Sequence, residues 1–131
     1  MSSLDEIANP GGLRARTHTI DVFGIAQDIR VRTTIMPAKI ETFSEVQTRS
    51  ITAAHEIREL YEALERSKPA PTKQAIEYRW KLVAYGASHE RIAEIYLSEI
   101  APYGMYGDGE LFVVANDAFR QRLSETLAQP G

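Results

Sequence analysis

The chain has 131 residues, of which 44% are hydrophobic and 25% are charged, with 15 lysines and arginines against 18 aspartates and glutamates. These proportions are those of one ordinary folded domain, and the net charge of −3 lacks the basic excess of most nucleic-acid-binding proteins. The absence of cysteine excludes disulfides and thiolate metal sites, and apolar runs such as 111–115 are far shorter than the roughly 20 residues that span a bilayer. We therefore expect a single cytoplasmic domain without a secretion signal or a membrane-spanning segment.

The N-terminal segment is polar and interrupted. Residues 9–12 read NPGG, a run of turn-forming residues, and the segment before them has little apolar surface beyond Leu4 and Ile7. Fixing the backbone costs roughly 1 to 2 kcal/mol per residue, which so little apolar surface does not offset. We predict that residues 1–12 form an arm that is flexible or bound to a partner through Leu4 and Ile7, and that residues 13–131 form one domain.

Period-two alternation predicts a strand beyond this arm. Residues 29–35 (IRVRTTI) alternate apolar and polar types, so Val31 would face a core while Arg30 and Arg32 would face solvent. Residues 17–23 are rich in β-branched types and are predicted to pair with this strand as an antiparallel hairpin. The two arginines fit the protection of a sheet edge, and they are also candidate contacts for a protein partner.

Apolar residues that recur every three or four positions predict helices over much of the remaining chain. The predicted helices cover about 38–67, 72–85, 88–100 and 117–127, and a short strand is predicted near Leu111–Val114. The apolar face of the hairpin is expected to pack on the first helix, because a hairpin alone is only marginally stable. The predicted fold class is α+β, with an N-terminal antiparallel β-hairpin packed on about four helices and one short extra strand.

Recognised catalytic motifs are missing from the sequence. There is no G-x-S-x-G elbow, no glycine-rich phosphate loop of the G-x-x-x-x-G-K or G-x-G-x-x-G type and no H-E-x-x-H zinc motif. Among the histidines, His18, His55 and His89, only His55 stands at helical spacing from two carboxylates, Glu59 and Glu62. Those three side chains could hold a metal, but the same spacing is typical of a solvated helix face. We expect no enzymatic activity, no cofactor and no bound metal.

The segment 103–109 (YGMYGDG) is predicted to be a loop. Tyrosine gives a large contact area at low entropic cost beside flexible glycine, so Tyr103, Met105 and Tyr106 are candidate partner contacts. A tight connection before the next strand explains the same residues without any partner, and both interpretations stay open.

Residues 81–94 are similar to the turn of a helix-turn-helix protein. Gly86 would separate one predicted helix from another that Ser88 would cap, but Glu90 and Glu94 would repel phosphate. Nucleic acid is therefore not an expected partner, and a small DNA-binding regulator is kept as an alternative.

Three segments together carry a family resemblance. The predicted hairpin ends in 28–34 (DIRVRTT), a helix with acidic residues follows, and 107–112 (GDGELF) precedes the capped helix that ends near Leu127. This arrangement resembles the tail assembly chaperones of long-tailed bacteriophages. The resemblance implies a small protein of the host cytoplasm that binds the tape-measure protein during tail assembly and has no catalytic site.

The function predicted from the sequence is therefore non-enzymatic protein–protein interaction in assembly, with phage tail assembly as its specific form. The expected partners are proteins of the phage tail or virion, and a homo-oligomer and a location in the virion are further alternatives. Another phage structural protein or a host-directed phage protein is the second candidate, and the DNA-binding regulator is the third.

Overall fold

The computed structural model describes residues 6–7, 9–25, 40–41, 46–74, 78–98, 102–107 and 109–128. The helices in these ranges are α1 (Gly11–Arg16), α2 (Ala54–Arg66) and α3 (Ala118–Ala128). The strands are β1 (Thr19–Gly24), β2 (Gln47–Ile51), β3 (Ala70–Pro71), β4 (Trp80–Tyr85), β5 (Arg91–Leu97), β6 (Tyr103–Tyr106) and β7 (Glu110–Val113). None of the helices within these ranges has the length and apolarity that crossing a membrane would require.

The strands form one antiparallel sheet in the order β2-β1-β4-β5-β6-β7-β3. Strands β4 to β7 follow one another in the sheet as they do in the chain, which is the arrangement that short connections favour. Strand β1 lies between β2 and β4, so that Val22 is opposite Arg49 on one side and Leu82 on the other. Strand β3 pairs with β7 at the far end. Among the described strands, β2 and β3 are therefore the two edges.

One face of the sheet, here called the helix face, carries the main core. Side chains alternate along each strand, so the register brings Val22 of β1, Leu82 of β4 and Ile95 of β5 to this side. Helices α2 and α3 cover the face with the apolar residues Ile57, Leu60, Leu64, Phe119 and Leu123. The burial of this apolar surface is the main source of stability.

The opposite face, here called the second face, carries a smaller apolar cluster. Its fully buried and partly buried members are Phe23, Ile25, Ile40, Val46, Tyr78, Tyr96 and Met105. Lys81, which is opposite Tyr96 in the β4–β5 register, lies on the same face. Apolar packing and a buried charge therefore occupy one side of the sheet together.

The predicted α+β arrangement of a hairpin on about four helices is wrong. Strand β1 forms where the sequence predicts it, but its partners are β2 and β4, and the predicted partner 29–35 lies outside the described residues. The predicted helix 38–67 is interrupted by strand β2, and helix α2 begins at Ala54. The sequence pattern failed here because the short polar strand β2 is an edge strand, and it has no apolar alternation to mark it.

The predicted helices 72–85 and 88–100 are also wrong, because this region contains the β4–β5 hairpin. All six residues of β4 are buried, so the strand lacks the alternating polarity of a half-exposed strand. The β4–β5 register shifts between Ala84 and Tyr85, and Ile92 and Ile95 both contact the main core despite their helical spacing. Residues 81–94 are thus a strand, a turn and a strand, and the helix-turn-helix interpretation of this segment is wrong.

The predictions for the end of the chain are confirmed. Strand β7 coincides with the predicted strand near Leu111–Val114, and α3 coincides with the predicted last helix. Asn116 caps this helix, because its Oδ1 accepts a hydrogen bond of 3.0 Å from the Ala118 amide. Ser67 adds a second, fully buried cap: its Oγ accepts a bond of 2.8 Å from the Phe119 amide and donates one of 3.0 Å to the Ala63 carbonyl. Ser67 therefore joins the end of α2 to the start of α3.

Candidate functional site

Most of the partner contacts predicted in the N-terminal arm and the hairpin fall outside the described residues. Leu4, Arg30 and Arg32 are outside the described residues. Ile7 is fully buried in the main core, and Glu6 beside it accepts a hydrogen bond of 2.7 Å from the Tyr106 hydroxyl. Burial, and then the contact with Glu6, raise the pKa of Tyr106, so this hydroxyl remains a donor at neutral pH. These contacts attach the described part of the arm to its own domain, and partner binding by the arm stays a prediction.

The tyrosines of the predicted loop belong to strand β6. Tyr106 packs in the main core, whereas Met105 packs against the smaller cluster on the second face. Gly104, between Tyr103 and Met105, has no room for a side chain, because a Cβ there would collide with the Phe112 ring. Tyr103, Met105 and Tyr106 therefore do not share one surface, and a role for them in partner binding stays a prediction.

Strand β2 is the longer edge of the sheet. It has five residues, β1 pairs with its inner side, and no strand in the described ranges pairs with its outer side. The side chains of Gln47, Thr48 and Ser50 are exposed. An edge strand presents a row of backbone donors and acceptors that an extended segment of another chain can pair with.

Contacts with three other elements hold β2 in place. Arg49 turns toward the helix face, where it forms an ion pair of 2.9 Å with Glu56 of α2 and donates a long hydrogen bond of 3.4 Å to the Thr126 carbonyl of α3. Ser50 donates a hydrogen bond of 2.6 Å to Asp21 of β1. The edge is therefore pre-organised, and a partner strand would not have to order it.

The opposite edge, β3, is built differently. It has only two residues, one of which is Pro71, and proline has no backbone N–H to donate to a further strand. Lys73 follows two residues later and is exposed. Short length, proline and lysine are the devices that blunt a sheet edge against pairing.

A network of four charged side chains lies on the second face and joins Glu41 to Lys81 of β4 and to Arg91 and Glu94 of β5. Lys81 is only 3% exposed, and its Nζ lies 2.6 Å from Glu41 Oε2 and 3.6 Å from Glu94 Oε1. Arg91 lies 2.8 Å from Glu41 and 2.6 Å from Glu94. The Lys81 ammonium also sits 5.0 Å from the centre of the Tyr96 ring. Two cations and two carboxylates thus neutralise one another.

The pKa values of Glu41, Lys81 and Arg91 move in the direction that keeps these three groups charged. Burial alone would raise the pKa of Glu41, but the hydrogen bonds from Arg91 and Lys81 outweigh it and lower that pKa. Burial alone would lower the pKa of Lys81, but its hydrogen bond to Glu41 helps to raise it. A catalytic acid or base needs a pKa near the working pH, and these shifts lead away from it. The network holds Glu41 on the sheet.

A basic cavity of about 430 Å³ lies between α1, the start of β1 and the first turns of α2. It is lined by Arg14, Thr17, His18, Thr52, Ala54, His55, Ile57 and Arg58. None of these lining residues is acidic. Glu62 forms an ion pair with two of them, at 4.0 Å from Arg14 and 3.8 Å from Arg58, the upper end of the ion-pair range.

The histidines do not form the metal site that the sequence left open. Glu59 pairs with Arg122 of α3, and Glu62 lies near Arg14 and Arg58. Within the described ranges, no three histidine, aspartate or glutamate side chains come close enough together to hold a metal ion. His89 stacks on Tyr85, with ring centres 4.4 Å apart, in the β4–β5 turn.

Neither the β2 edge nor the basic cavity could be predicted from the sequence, for identifiable reasons. The sequence pattern predicts a helix over the residues that form β2. The β-branched residues Thr48 and Ile51 were the one signal for a strand. The cavity draws its basic residues from two parts of the chain, and only the i,i+3 spacing of His55 and Arg58 was visible in advance.

No protein-family model matches the chain, and no curated protein or solved structure matches it either. The function proposed next therefore rests on the edge strand and its surroundings.

Proposed function

We propose that the protein is a non-enzymatic binding module that takes an extended segment of a partner protein onto the outer side of β2. The observation that carries this proposal is an ordered five-residue edge strand whose outer side meets no described strand. Main-chain hydrogen bonds would supply affinity in such a complex, and the exposed side chains of Thr48 and Ser50 would supply specificity.

The difference between the two edges supports this choice of surface. Strand β3 has the short length and proline that prevent strand addition, and β2 has neither. Arg49, the one cation of β2, pairs with Glu56 on the helix face, so its charge does not oppose strand pairing at the edge. A chain that protects one edge and leaves the other available is suited to pairing at the second edge.

In its specific form, the partner is a protein of a phage tail, and the tape-measure protein is the first candidate. The resemblance of 107–112 and the capped last helix to tail assembly chaperones supports this form. Pairing with β2 would cover an extended segment of the partner until assembly uses it. Another phage structural protein or a host protein would be bound in the same way.

The substitution Ser50→Lys tests the surface. A lysine on the edge opposes the approach of another strand, while it can replace the hydrogen bond to Asp21 with an ion pair. Ser88→Lys is the matched control, because Ser88 is an exposed serine in the β4–β5 turn, away from β2. The wild type and both variants serve as baits in the native source, and captured proteins are identified by mass spectrometry.

We expect a partner that the wild type and Ser88→Lys retain and Ser50→Lys loses. Hydrogen exchange on the purified complex should then show new protection in the β2 amides. A partner retained equally by all three baits would contradict binding at β2. A β2-dependent partner that is not a tail protein would contradict the specific form alone, and loss of self-association on Ser50→Lys would identify a second copy of the chain as the occupant.

A further inference from the structure

We propose that the basic cavity beside α2 binds the phosphate group of a small organic phosphate. The proposal is independent of partner binding at β2 and concerns a different face of the molecule. It begins with the lining: two arginines and two histidines line one cavity, and none of the described lining residues carries a carboxylate.

The charges of this cavity are not internally balanced, which separates it from the network on the second face. There, Lys81 and Arg91 meet Glu41 and Glu94 at 2.6 to 3.6 Å. In the cavity, the one carboxylate among the described residues that pairs with Arg14 and Arg58 is that of Glu62, at 4.0 and 3.8 Å. One weakly held carboxylate for two guanidinium groups leaves positive charge that an anion would neutralise.

The donors match a phosphate group in kind and in number. Guanidinium groups bind phosphate through paired N–H donors, and imidazole and hydroxyl groups add single hydrogen bonds. Thr52, His18 and His55 supply the latter groups. The first turn of α2 contributes as well, because its N-cap is Ala53, which has no side-chain acceptor for the first amides.

Hydrogen bonds within the protein hold one wall of the cavity, at Thr17 and His18, in place. Thr17 Oγ1 lies 2.7 Å from the Leu13 carbonyl and 2.8 Å from the Tyr61 hydroxyl, and the His18 amide donates to the Tyr85 carbonyl at 2.8 Å. A volume of about 430 Å³ is within the usual range for small-molecule sites and exceeds the size of a bare phosphate ion. Ile57 gives the lining an apolar patch. These features favour a phosphate with an attached organic group over inorganic phosphate.

The test is an amide NMR titration of the purified full-length protein with inorganic phosphate and with phenyl phosphate at constant ionic strength. We expect saturable shifts at Thr17, His18, Ala54 and His55, with tighter binding of phenyl phosphate. Arg58→Gln should weaken binding about tenfold, the effect of losing one charge-assisted hydrogen bond of about 1.4 kcal/mol. Arg66→Gln, in the last turn of the same helix, is the matched control and should bind as the wild type does.

Arg58 is more than half exposed, so its replacement should leave the fold intact, and the spectrum itself reports this. Arg14→Gln provides a second variant from a different helix, with the same expected loss. The proposal is overturned if shifts do not saturate, if they lie outside the cavity, or if Arg58→Gln and Arg66→Gln bind equally. Equal affinity for inorganic phosphate and phenyl phosphate would contradict the proposal that the ligand carries an organic group.

Discussion

The two faces of the sheet are stabilised by different chemistry. On the helix face, Phe112 and Phe119 are 0% and 1% exposed within a continuous apolar core. On the second face, a nearly buried lysine is held by carboxylates beside a smaller apolar cluster. Apolar burial has no direction and depends little on pH, whereas charged hydrogen bonds depend on geometry and on protonation. The faces should therefore respond differently to the same perturbation.

The largest difference should appear when a core side chain is removed from each face. Phe112→Ala should lower the free energy of unfolding by about 3 to 5 kcal/mol, because it leaves a cavity beside Gly104 in a fully buried site. Met105→Ala, on the second face, should lower it by only about 1 kcal/mol, since Met105 is partly exposed. Urea unfolding measures both values. Equal losses would mean that the two faces contribute equally.

A smaller effect is expected from breaking the charge network without changing its shape. Glu41→Gln should lower the free energy of unfolding by about 2 kcal/mol, because Lys81 stays buried and keeps only the longer contact with Glu94. Glu65→Gln, at an exposed site on α2, is the control and should change stability by less than about 0.5 kcal/mol. A Glu41 variant as stable as the control would show that the network does not stabilise the second face.

Acid should act on the second face first. The folded pKa of Glu41 lies below its ordinary value of 4.5, so its contribution to stability is complete above about pH 4.5 and is lost as the pH falls through the folded pKa. Unfolding free energies measured from pH 6 to pH 3 should therefore fall less steeply in Glu41→Gln than in the wild type. Parallel curves for the two proteins would assign the acid sensitivity to other carboxylates.

The smallest effect on stability is expected at the β2 edge. Ser50→Lys should change the free energy of unfolding by less than about 0.5 kcal/mol, because Ser50 is exposed and lysine can pair with Asp21. Thermal unfolding of the variant beside the wild type checks this. A large loss of stability would mean that Ser50 contributes to the structural core of the sheet. The loss of partner binding by Ser50→Lys would then reflect unfolding of the variant.

The parts of the fold that the sequence predicted are those with local signals. Strand β7 and helix α3 have clear patterns and an asparagine cap at Asn116. Strands β4 and β5 lie in the middle of the sheet, where burial on both faces removes the alternation that identifies a strand. Lys81 looks like a surface residue in the sequence, and its closest carboxylate partner in the fold, Glu41, lies 40 residues earlier in the chain.

The two candidate sites could not be predicted from the sequence because both depend on contacts between distant parts of the chain. The position of β2 at an edge of the sheet follows from the strand order. That order depends on the pairing of β2 with β1, which precedes it in the chain by more than 20 residues. The basic cavity forms only when α1 and the first turns of α2 come together. Such features follow from tertiary structure and leave little trace in any one segment.

The Ser67 link between α2 and α3 has a consequence for the order of folding. The Phe119 amide finds its buried acceptor 52 residues earlier in the chain, and contacts of such sequence separation form slowly because a long loop must close first. Helix α3 can therefore gain this acceptor only after α2 has taken its place on the sheet. We therefore expect the C-terminal helix to dock late in folding, after the sheet and α2 have formed the apolar surface that it covers.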